Sequence, residues 1–488
     1  RLGANSPRQL HQMQLQLSYA FDRDSAPARV AAFSPYAPSG TPATGAGHVT
    51  ASRLPQAQPT PDFEVKPPPS GTELTHSDAA TQLIAQAHRM QAALKEAGFA
   101  AVQVGRWASG AWWIQAEPWG WRQSQLTAIA QALRALQPVW PEGATLVFSL
   151  SYAHRSHRHV RWRPGCESAR FLSCFPVQGQ DFHIEEIEPP DQTGITWWAQ
   201  PQSTDRATLE LELGPALKHT VGTELGLFDY SLALDAGWQV AWAGMPGWFA
   251  QGNYTHPWAH SSDFGPKGAF GSMRIKPGSQ QSLISHVWQP TPQTYTQANI
   301  GYINREARGI LLQGAWLDAD RRLKFSTQAG RFVDDTPGHA AHAPLLVKAR
   351  YDWVPMQWAM EVTRGRYMAG DVGWQLSSLH QFSRHRLEFY MRQSESPSMP
   401  LNRFAGFIIA IPIGPDRAWT PGPVSLRGRD LWGIGLQSKI GHNNTISTGY
   451  GEEPFVRHGL NDILDQDRRA PLGSAPAAER LNQALQTP

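Results

Sequence analysis

Side chains that can bind metals or anions are concentrated in one short stretch of the chain. His154, His157 and His159 alternate there with Arg155 and Arg158. On a strand, His157 and His159 would share one face, and neutral imidazole is a common metal ligand. The neighbouring guanidinium groups repel a cation, so the pattern favours a solvated basic edge over a metal site. We therefore predict no metal in this chain.

The acidic run Glu185-Glu186-Ile187-Glu188 is a second group of titratable side chains. Such a run can attract cations, but a hydrated loop is the favoured interpretation. The sequence has no phosphate-binding loop, no dinucleotide-binding glycine pattern, no H-E-x-x-H and no G-x-S-x-G. A carboxylate pair for glycoside hydrolysis has no sequence signature, because its two members meet only in space. We predict a protein that is not an enzyme and needs no cofactor.

The two cysteines of the chain are close together in sequence. Cys166 and Cys174 are eight residues apart in an otherwise cysteine-free chain of 488 residues. This spacing favours one disulfide formed in an oxidising compartment such as the periplasm, although two separate buried thiols are the alternative. The formal net charge is only +3, and no run of lysines and arginines is present. The charge pattern therefore predicts no nucleic-acid partner.

The elements that must position these groups show a two-residue rhythm. Apolar and polar side chains alternate in residues 13–21, 208–213 and 386–392, among many other segments. Successive side chains of a strand point to opposite faces, so each segment has an apolar face and a polar face. A soluble sandwich also alternates, but a membrane barrel must, because lipid lies outside and water inside. The sequence predicts a mainly β protein, an antiparallel transmembrane β-barrel of about 14–18 strands.

The charged positions of three predicted strands give the candidate site. Lys348 and Arg350, for example, lie on one face of a strand, opposite Val347. A lysine or arginine on the lipid face costs roughly 2–4 kcal/mol at the bilayer midplane, so such rows should face the lumen. The polar lumen-facing candidates are Lys348, Arg350, Asp352, Glu361, Thr363, Arg386, Glu388 and Arg392. They can line a hydrated path for a glycan, or they can form only cross-strand salt bridges within the wall.

Tryptophan is abundant, with 20 residues. Several tryptophans lie near the ends of alternating segments: Trp242, Trp248, Trp288, Trp316, Trp353 and Trp358. Amphipathic rings collect where a membrane meets water, and outer-membrane barrels carry aromatic girdles at both interfaces. The set favours such girdles, with core tryptophans or sugar-stacking platforms of a soluble β protein as the alternative.

The composition changes along the chain indicate six segments. Helical spacing at Leu83, Ala87, Met90 and Leu94, and again from Leu126, marks the order αββαββ of a small α+β domain. The predicted segments are N-terminal barrel strands at 1–36, a linker rich in Pro, Ala and Gly at 37–76, the periplasmic α+β domain at 77–163, a connector with the disulfide at 164–203, the β-barrel at 204–450 and a polar tail at 451–488.

Several short blocks resemble a known family. They are residues 365–373 (GRYMAGDVG), 404–413 (FAGFIIAIPI) and 222–226 (GTELG), together with the α/β piece around Gly98-Phe99 and 102–104. These blocks resemble the YjbH/GfcD family of outer-membrane proteins, which are encoded with genes for exopolysaccharide and capsule assembly. The resemblance covers most of residues 77–450 and is a pattern of short blocks.

The resemblance implies a location and a role. It implies an outer-membrane protein of a Gram-negative bacterium, with a periplasmic domain, that takes part in export or assembly of an exopolysaccharide or capsule, as a pore or docking component. The partners implied are the polysaccharide, outer-membrane lipid and periplasmic or outer-membrane export proteins. The alternatives are a secreted all-β polysaccharide lyase or hydrolase, and a general porin.

Overall fold

The computed structural model describes residues 12–16 and 75–486, except 122–123, 142, 153–154, 166–173, 178–179, 188–189, 192, 201–206, 224–225, 243, 320, 336–340, 354–355, 383–384, 397–398, 416, 422–423, 430–431, 441–450 and 466–474. The described chain begins with a short strand, β1 (Gln12–Gln16). Its strands form one sheet of fifteen strands and one of seven, and the mainly β prediction is confirmed. Within the described residues, no helix is long and apolar enough to span a membrane.

The smaller sheet belongs to an α+β unit. Its elements in chain order are α1 (Thr75–Glu96), β2 (Ala100–Trp107), β3 (Trp112–Glu117), α2 (Gln125–Leu136), β4 (Leu146–Tyr152), β5 (Arg155–Pro164), β6 (Cys174–Val177), β7 (Gln180–Ile187) and β8 (Ile195–Ala199). The strand order is β6-β7-β5-β4-β3-β2-β8. A last helix, α4 (Ala475–Gln486), packs against α2. The core contains apolar side chains such as Ile114, Leu133, Phe148 and Leu481.

Helix α2 shows how local sequence forms this unit. Ser124 caps its start by accepting a hydrogen bond from the Thr127 backbone amide at 3.1 Å. Leu126, Ile129 and Leu133 recur at helical spacing and are buried in the core. The first six elements of the unit follow the predicted order αββαββ. Residues 174–199, part of the predicted connector, supply three more strands: β7 pairs with β5, β6 pairs with β7, and β8 pairs with β2. These strands are too short for a clear alternation in the sequence.

The larger sheet follows directly in the chain. Its strands are β9 (Ala207–Thr223), β10 (Gly226–Trp242), β11 (Trp248–His260), β12 (Gly278–Thr291), β13 (Thr294–Tyr302), β14 (Ala307–Leu317), β15 (Leu323–Asp334), β16 (Leu345–Trp353), β17 (Trp358–Arg366), β18 (Val372–Phe382), β19 (His385–Ser396), β20 (Met399–Ile411), β21 (Val424–Gly428) and β22 (Trp432–Ile440). From β9 to β20 each strand pairs antiparallel with the next one in the chain.

The two ends of this sheet approach each other. Strand β22 pairs antiparallel with β20, whereas β21, which precedes it in the chain, pairs parallel with β9. Strand β1 pairs parallel with β22, and its backbone also lies beside β9. Strands β1 and β21, which are the two ends of the strand order, therefore both lie beside β9.

The structure differs from the predicted strands at two places. The sequence predicts separate strands at 206–214 and 219–234, but β9 continues through Pro215, whose position faces Leu234 of β10. A strand predicted near 266–276 is instead a loop with 3₁₀ turns at Ser262–Phe264 and Gly271–Met273. Gly268 lies so close to the Asp263 backbone in this loop that a side chain there would clash. Tight turning by glycine and proline overrides the weak alternation.

Candidate functional site: the polar face of the large sheet

The large sheet exposes its apolar side chains and buries its polar ones. On β16, Val347 is 51% exposed, whereas its neighbour Lys348 is 5% exposed. On β14, Ile310 and Leu312 are exposed and Gln313 is buried. We call the two sides the apolar face and the polar face. A soluble sandwich has the reverse arrangement, because it packs apolar side chains between its sheets.

The eight candidate residues all lie on the polar face. Six are buried (Lys348, Arg350, Asp352, Thr363, Glu388 and Arg392), and Glu361 and Arg386 are half-buried. The structure brings those of β16 and β17 together, since Lys348 lies opposite Thr363 and Arg350 opposite Glu361. Those of β19 are separated from them by β18.

These side chains also pair with one another. The Arg350 guanidinium lies 2.9 Å from an Asp352 carboxylate oxygen, and the Lys348 ammonium lies 3.7 Å from Glu361. Arg392 Nε donates a hydrogen bond to Gln375 Oε1 at 2.9 Å. Salt bridges between side chains of the large sheet are therefore present, as the salt-bridge interpretation of these residues expects. Lys348 also has a partner from outside the large sheet.

That partner belongs to a non-periodic stretch near the C-terminus, residues 451–461, which we call the central segment. Glu453, Val456, Arg457 and Leu460 of this segment are buried. Its contacts reach from β9 and β10 at one end of the strand order to β16, β19 and the turn before β18 towards the other. The central segment therefore contacts the polar face along most of the strand order.

Backbone groups of the central segment are satisfied by amide side chains of the wall. Gln281 donates to the Phe455 carbonyl at 2.9 Å and accepts from the Arg457 amide at 3.1 Å. The His458 amide donates to Gln251 at 2.9 Å, and the His458 carbonyl accepts from Gln297 at 2.9 Å. A buried segment without regular structure needs such partners for its peptide groups. The glutamines on the polar face thus hold the backbone of the central segment through hydrogen bonds.

Arg457 anchors one side of the central segment. Its guanidinium lies 2.8 Å from Glu212 on β9 and contacts Asp235 on β10. Arg429 also contacts Asp235, and Arg427 binds Glu210 and Glu212. Three arginines and the three carboxylates of Glu210, Glu212 and Asp235 form one buried cluster. Their formal charges cancel, which a buried cluster of this size requires.

Glu453 anchors the other side. Its carboxylate contacts the Lys348 ammonium. Two residues earlier, the Gly451 amide donates to the Asp371 carboxylate at 2.8 Å. Gly451 also lies directly against the Arg392 side chain, so that a larger residue there would clash. The predicted residues Lys348 and Arg392 are therefore contact points for the central segment.

The chain then leaves the large sheet and returns to the α+β unit. Lys324 donates to Asn461 at 2.8 Å beside helix α3 (Leu460–Asp465). Helix α4 packs farther on against α2, with Leu481 fully buried in the core of the α+β unit. The polar tail predicted at 451–488 thus contains the central segment and a helix of the other unit.

The two units meet at one end of the large sheet. Tyr152 donates to Gln239 at 3.1 Å, and Arg321, in the turn between β14 and β15, lies 3.4 Å from Glu186. The Ala418 amide donates to the Gly120 carbonyl at 2.9 Å. The longest connection between neighbouring strands, residues 261–277 between β11 and β12, lies at the other end, whereas at this end β12 and β13 are joined by two residues and β14 and β15 by five.

The same end carries the six tryptophans singled out in the sequence. Trp248, Trp316 and Trp353 are exposed on the apolar face near the strand ends. Trp353 stacks on Trp358 with 5.7 Å between ring centroids. The other end has exposed rings as well, at Tyr254, Trp258, Tyr302 and Trp374.

The charged clusters predicted in the α+β unit are not solvated in the way the sequence indicates. Arg158 and His159 are buried, and the expectation of a solvated basic edge is wrong for them. Glu185 and Glu186 lie on strand β7, not in a hydrated loop, because β7 pairs with β5 and sets their carboxylates against its arginines. Arg158 lies 3.2 Å from Glu186. His154 lies outside the described residues, and the His157 side chain is not described.

Burial also changes the titration of His159. It lowers the pKa of the imidazole to about 4, and the positive charge of Arg321 acts in the same direction. The Nδ1 atom lies 2.8 Å from the Ser149 hydroxyl. His159 is thus a neutral side chain that packs edge-on against Trp113. Of the two cysteines, Cys174 is disulfide-bonded and Cys166 lies outside the described residues.

Sequence reasoning identified one half of the candidate site. The alternation placed Glu210 and Glu212 on a polar face, but nothing local pairs them with Arg457, which is 245 residues from Glu212. The one usable signal was a mixed polar and apolar stretch after the last strand. In comparisons with known proteins, no family model matches this chain, and no curated protein matches it either.

Proposed function

We propose that the large sheet is an outer-membrane β-barrel whose polar face lines the lumen. The observation that carries this proposal is the inverted burial, with exposed Leu312 and Val347 against buried Gln313 and Lys348. Exposed apolar side chains, which occur on β9 to β20 and on β22, are costly in water and favourable in hydrocarbon. Buried charges that are paired across a narrow interior fit a hydrated or plugged lumen.

Two further observations support a membrane barrel. Exposed aromatic rings occur at both ends of the apolar face, as in the girdles of outer-membrane barrels. The strand order ends at β9 on both sides, through β21 and β1. Strands β21 and β22 follow each other and run in the same direction, so they count as one interrupted strand. Fourteen strands then remain of the fifteen, a number within the predicted range.

We infer a role in export or assembly of an exopolysaccharide or capsule. The family resemblance of the sequence suggests this role. The α+β unit suits a periplasmic domain, because it lies at the end opposite the longest connection, residues 261–277, and outer-membrane barrels have their longer loops on the extracellular side. The lumen would be the route or docking surface for the glycan. The α+β unit would meet periplasmic export proteins.

The membrane placement is tested by arginine substitution on the apolar face. Leu312 lies in the middle of this face, between Ile310 and Gly314, and Leu345 lies at a strand end beside Arg366. Leu312→Arg should lower the free energy of unfolding in lipid vesicles by roughly 2–4 kcal/mol, and Leu345→Arg by about 0–1 kcal/mol. In a soluble protein both exposed substitutions would cost within about 0.5 kcal/mol. Equal small costs would refute the barrel.

The role in export is tested in the source organism. A clean deletion should leave the glycan in the periplasm, and a plasmid copy of the wild-type chain should restore it at the surface. Normal surface glycan in the deletion strain would refute the role while leaving the barrel proposal intact.

A further inference from the structure

Opposite walls of the polar face carry opposite charge. Strands β9 and β10 present an excess of carboxylates over their one buried lysine, Lys218. Strands β15 to β19 present an excess of lysines and arginines (Lys324, Lys348, Arg350, Arg386 and Arg392) over the carboxylates of Asp352, Glu361 and Glu388. The central segment matches this asymmetry, because Arg457 meets the acidic wall and Glu453 meets the basic wall. The segment therefore spans the interior from one wall to the other and fills the space between them.

Apart from the ion pairs of Glu453 and Arg457, the contacts of the central segment are of an exchangeable kind. Several are hydrogen bonds between its backbone and amide side chains such as Gln251, Gln281 and Gln297. Water or the hydroxyl groups of a sugar can replace each of these bonds with little change in free energy. Its apolar contacts are confined to a few side chains, among them Val456 and Leu460. A segment held in this way can leave the interior without exposing a large apolar core.

Glu453 marks a site where the wall accepts a carboxylate. A buried carboxylate is stable only where its surroundings supply compensating positive charge and hydrogen bonds. Lys348 supplies that charge, and Lys348 keeps Glu361 as a partner in the wall at 3.7 Å. Replacing the Glu453 carboxylate with that of a uronic acid therefore leaves the charge balance of the wall unchanged.

We propose that the central segment is a removable plug, and that Glu453 occupies on Lys348 the place of a carboxylate of an anionic polysaccharide. This inference rests on the proposed barrel. It names the substrate class of the lumen, an acidic glycan, and its means of closure.

The closure is tested with the full-length protein in planar lipid bilayers. The wild type should show low conductance. Glu453→Gln combined with Arg457→Gln removes both charged anchors and should raise the conductance several-fold. Adding Met368→Cys and Glu452→Cys lets an oxidant lock the segment in place, because the Met368 amide donates to the Glu452 carbonyl at 2.9 Å in the wild type and the two backbones are close enough for a disulfide. Oxidation should then restore low conductance and a reductant should reverse it, while the double variant without these cysteines should not respond.

The ligand site is tested on the same double variant. Oligogalacturonate should block its current, and additional Lys348→Gln should weaken this block several-fold, whereas Lys348→Arg should retain it. Any block of the current by maltohexaose, which is neutral, should be the same in both variants of residue 348. A wild-type conductance equal to that of the double variant would refute the plug. A block by oligogalacturonate that does not depend on residue 348 would refute the carboxylate site.

The outcomes separate this inference from the proposed function. If the protein forms no channels and its migration in gels does not change on boiling, the barrel itself is refuted. If it forms channels that are open in the wild type, only the plug is refuted.

Discussion

Replacement of Arg457 by methionine tests the buried charge cluster quantitatively. The guanidinium lies 2.8 Å from Glu212, which corresponds to about 6 kcal/mol of Coulomb attraction at an effective dielectric constant of about 20. Desolvation offsets part of this attraction, and breaking a buried pair from one side typically costs about 3–5 kcal/mol. Without Arg457, three carboxylates face only Arg427 and Arg429. We expect Arg457→Met to lower the free energy of unfolding by about 3–5 kcal/mol.

The assay is urea unfolding of the protein in lipid vesicles, followed by tryptophan fluorescence. Arg308→Met is the matched control, because Arg308 and Asp335 form an exposed pair at 3.1 Å that is worth less than about 1 kcal/mol. Adding Glu212→Gln to Arg457→Met removes the surplus carboxylate charge and should restore much of the loss.

Two results would refute the reasoning about the cluster. If Arg457→Met costs no more than Arg308→Met, the buried cluster does not hold the central segment. If Arg457→Met is costly but Glu212→Gln restores nothing, the loss comes from packing and not from an uncompensated charge.

Three more variants test other parts of the fold. Burial holds the pKa of His159 at about 4 against an ordinary value of 6.5, so the unfolded chain binds the proton more tightly than the folded one. The free energy of unfolding should therefore fall by roughly 3 kcal/mol as the pH drops from 6.5 to 4. His159→Gln should flatten this pH dependence when unfolding is measured across the same range. Gly237→Ala places a methyl group against the Arg457 guanidinium and should destabilise the protein in urea, whereas Gly244→Ala, in open space, should not. Leu481→Ala should cost about 2–5 kcal/mol in thermal unfolding and make α4 sensitive to protease, because Leu481 is fully buried.

The alternating segments made most of the large sheet predictable. A strand has only two faces, so parity alone places Lys348 and Arg350 together and Val347 opposite, as they lie in the structure. The alternation of side chains does not show where a strand begins or ends. Pro215 and the adjacent Gly214 suggested a break, yet β9 runs through them. The loop after β11 resembled a strand because Phe264 and Phe270, which are buried in it, mimic the apolar positions of one.

The central segment was not predictable in the same way. Its residues follow neither a helical nor a strand period, and its contacts with the large sheet are with residues at least 59 positions earlier in the chain, as between Gly451 and Arg392. Such contacts are fixed by the three-dimensional arrangement of the strands and leave no local pattern. The same holds for β7, whose glutamates appear solvated until β5 is placed beside them.

The two sheets of this chain differ in which side chains they bury: the smaller sheet buries apolar side chains, and the larger sheet exposes them. In the α+β unit, apolar Ile114 and Phe148 are buried and Arg163 is exposed, as expected in water. In the large sheet, Leu312 is exposed and Gln313 is buried. A single solvent cannot favour both arrangements in one stable protein, since each exposed apolar side chain costs about 1.5–3 kcal/mol in water relative to burial. This contrast supports the proposal that the α+β unit lies in water and that the large sheet has hydrocarbon outside and a polar interior.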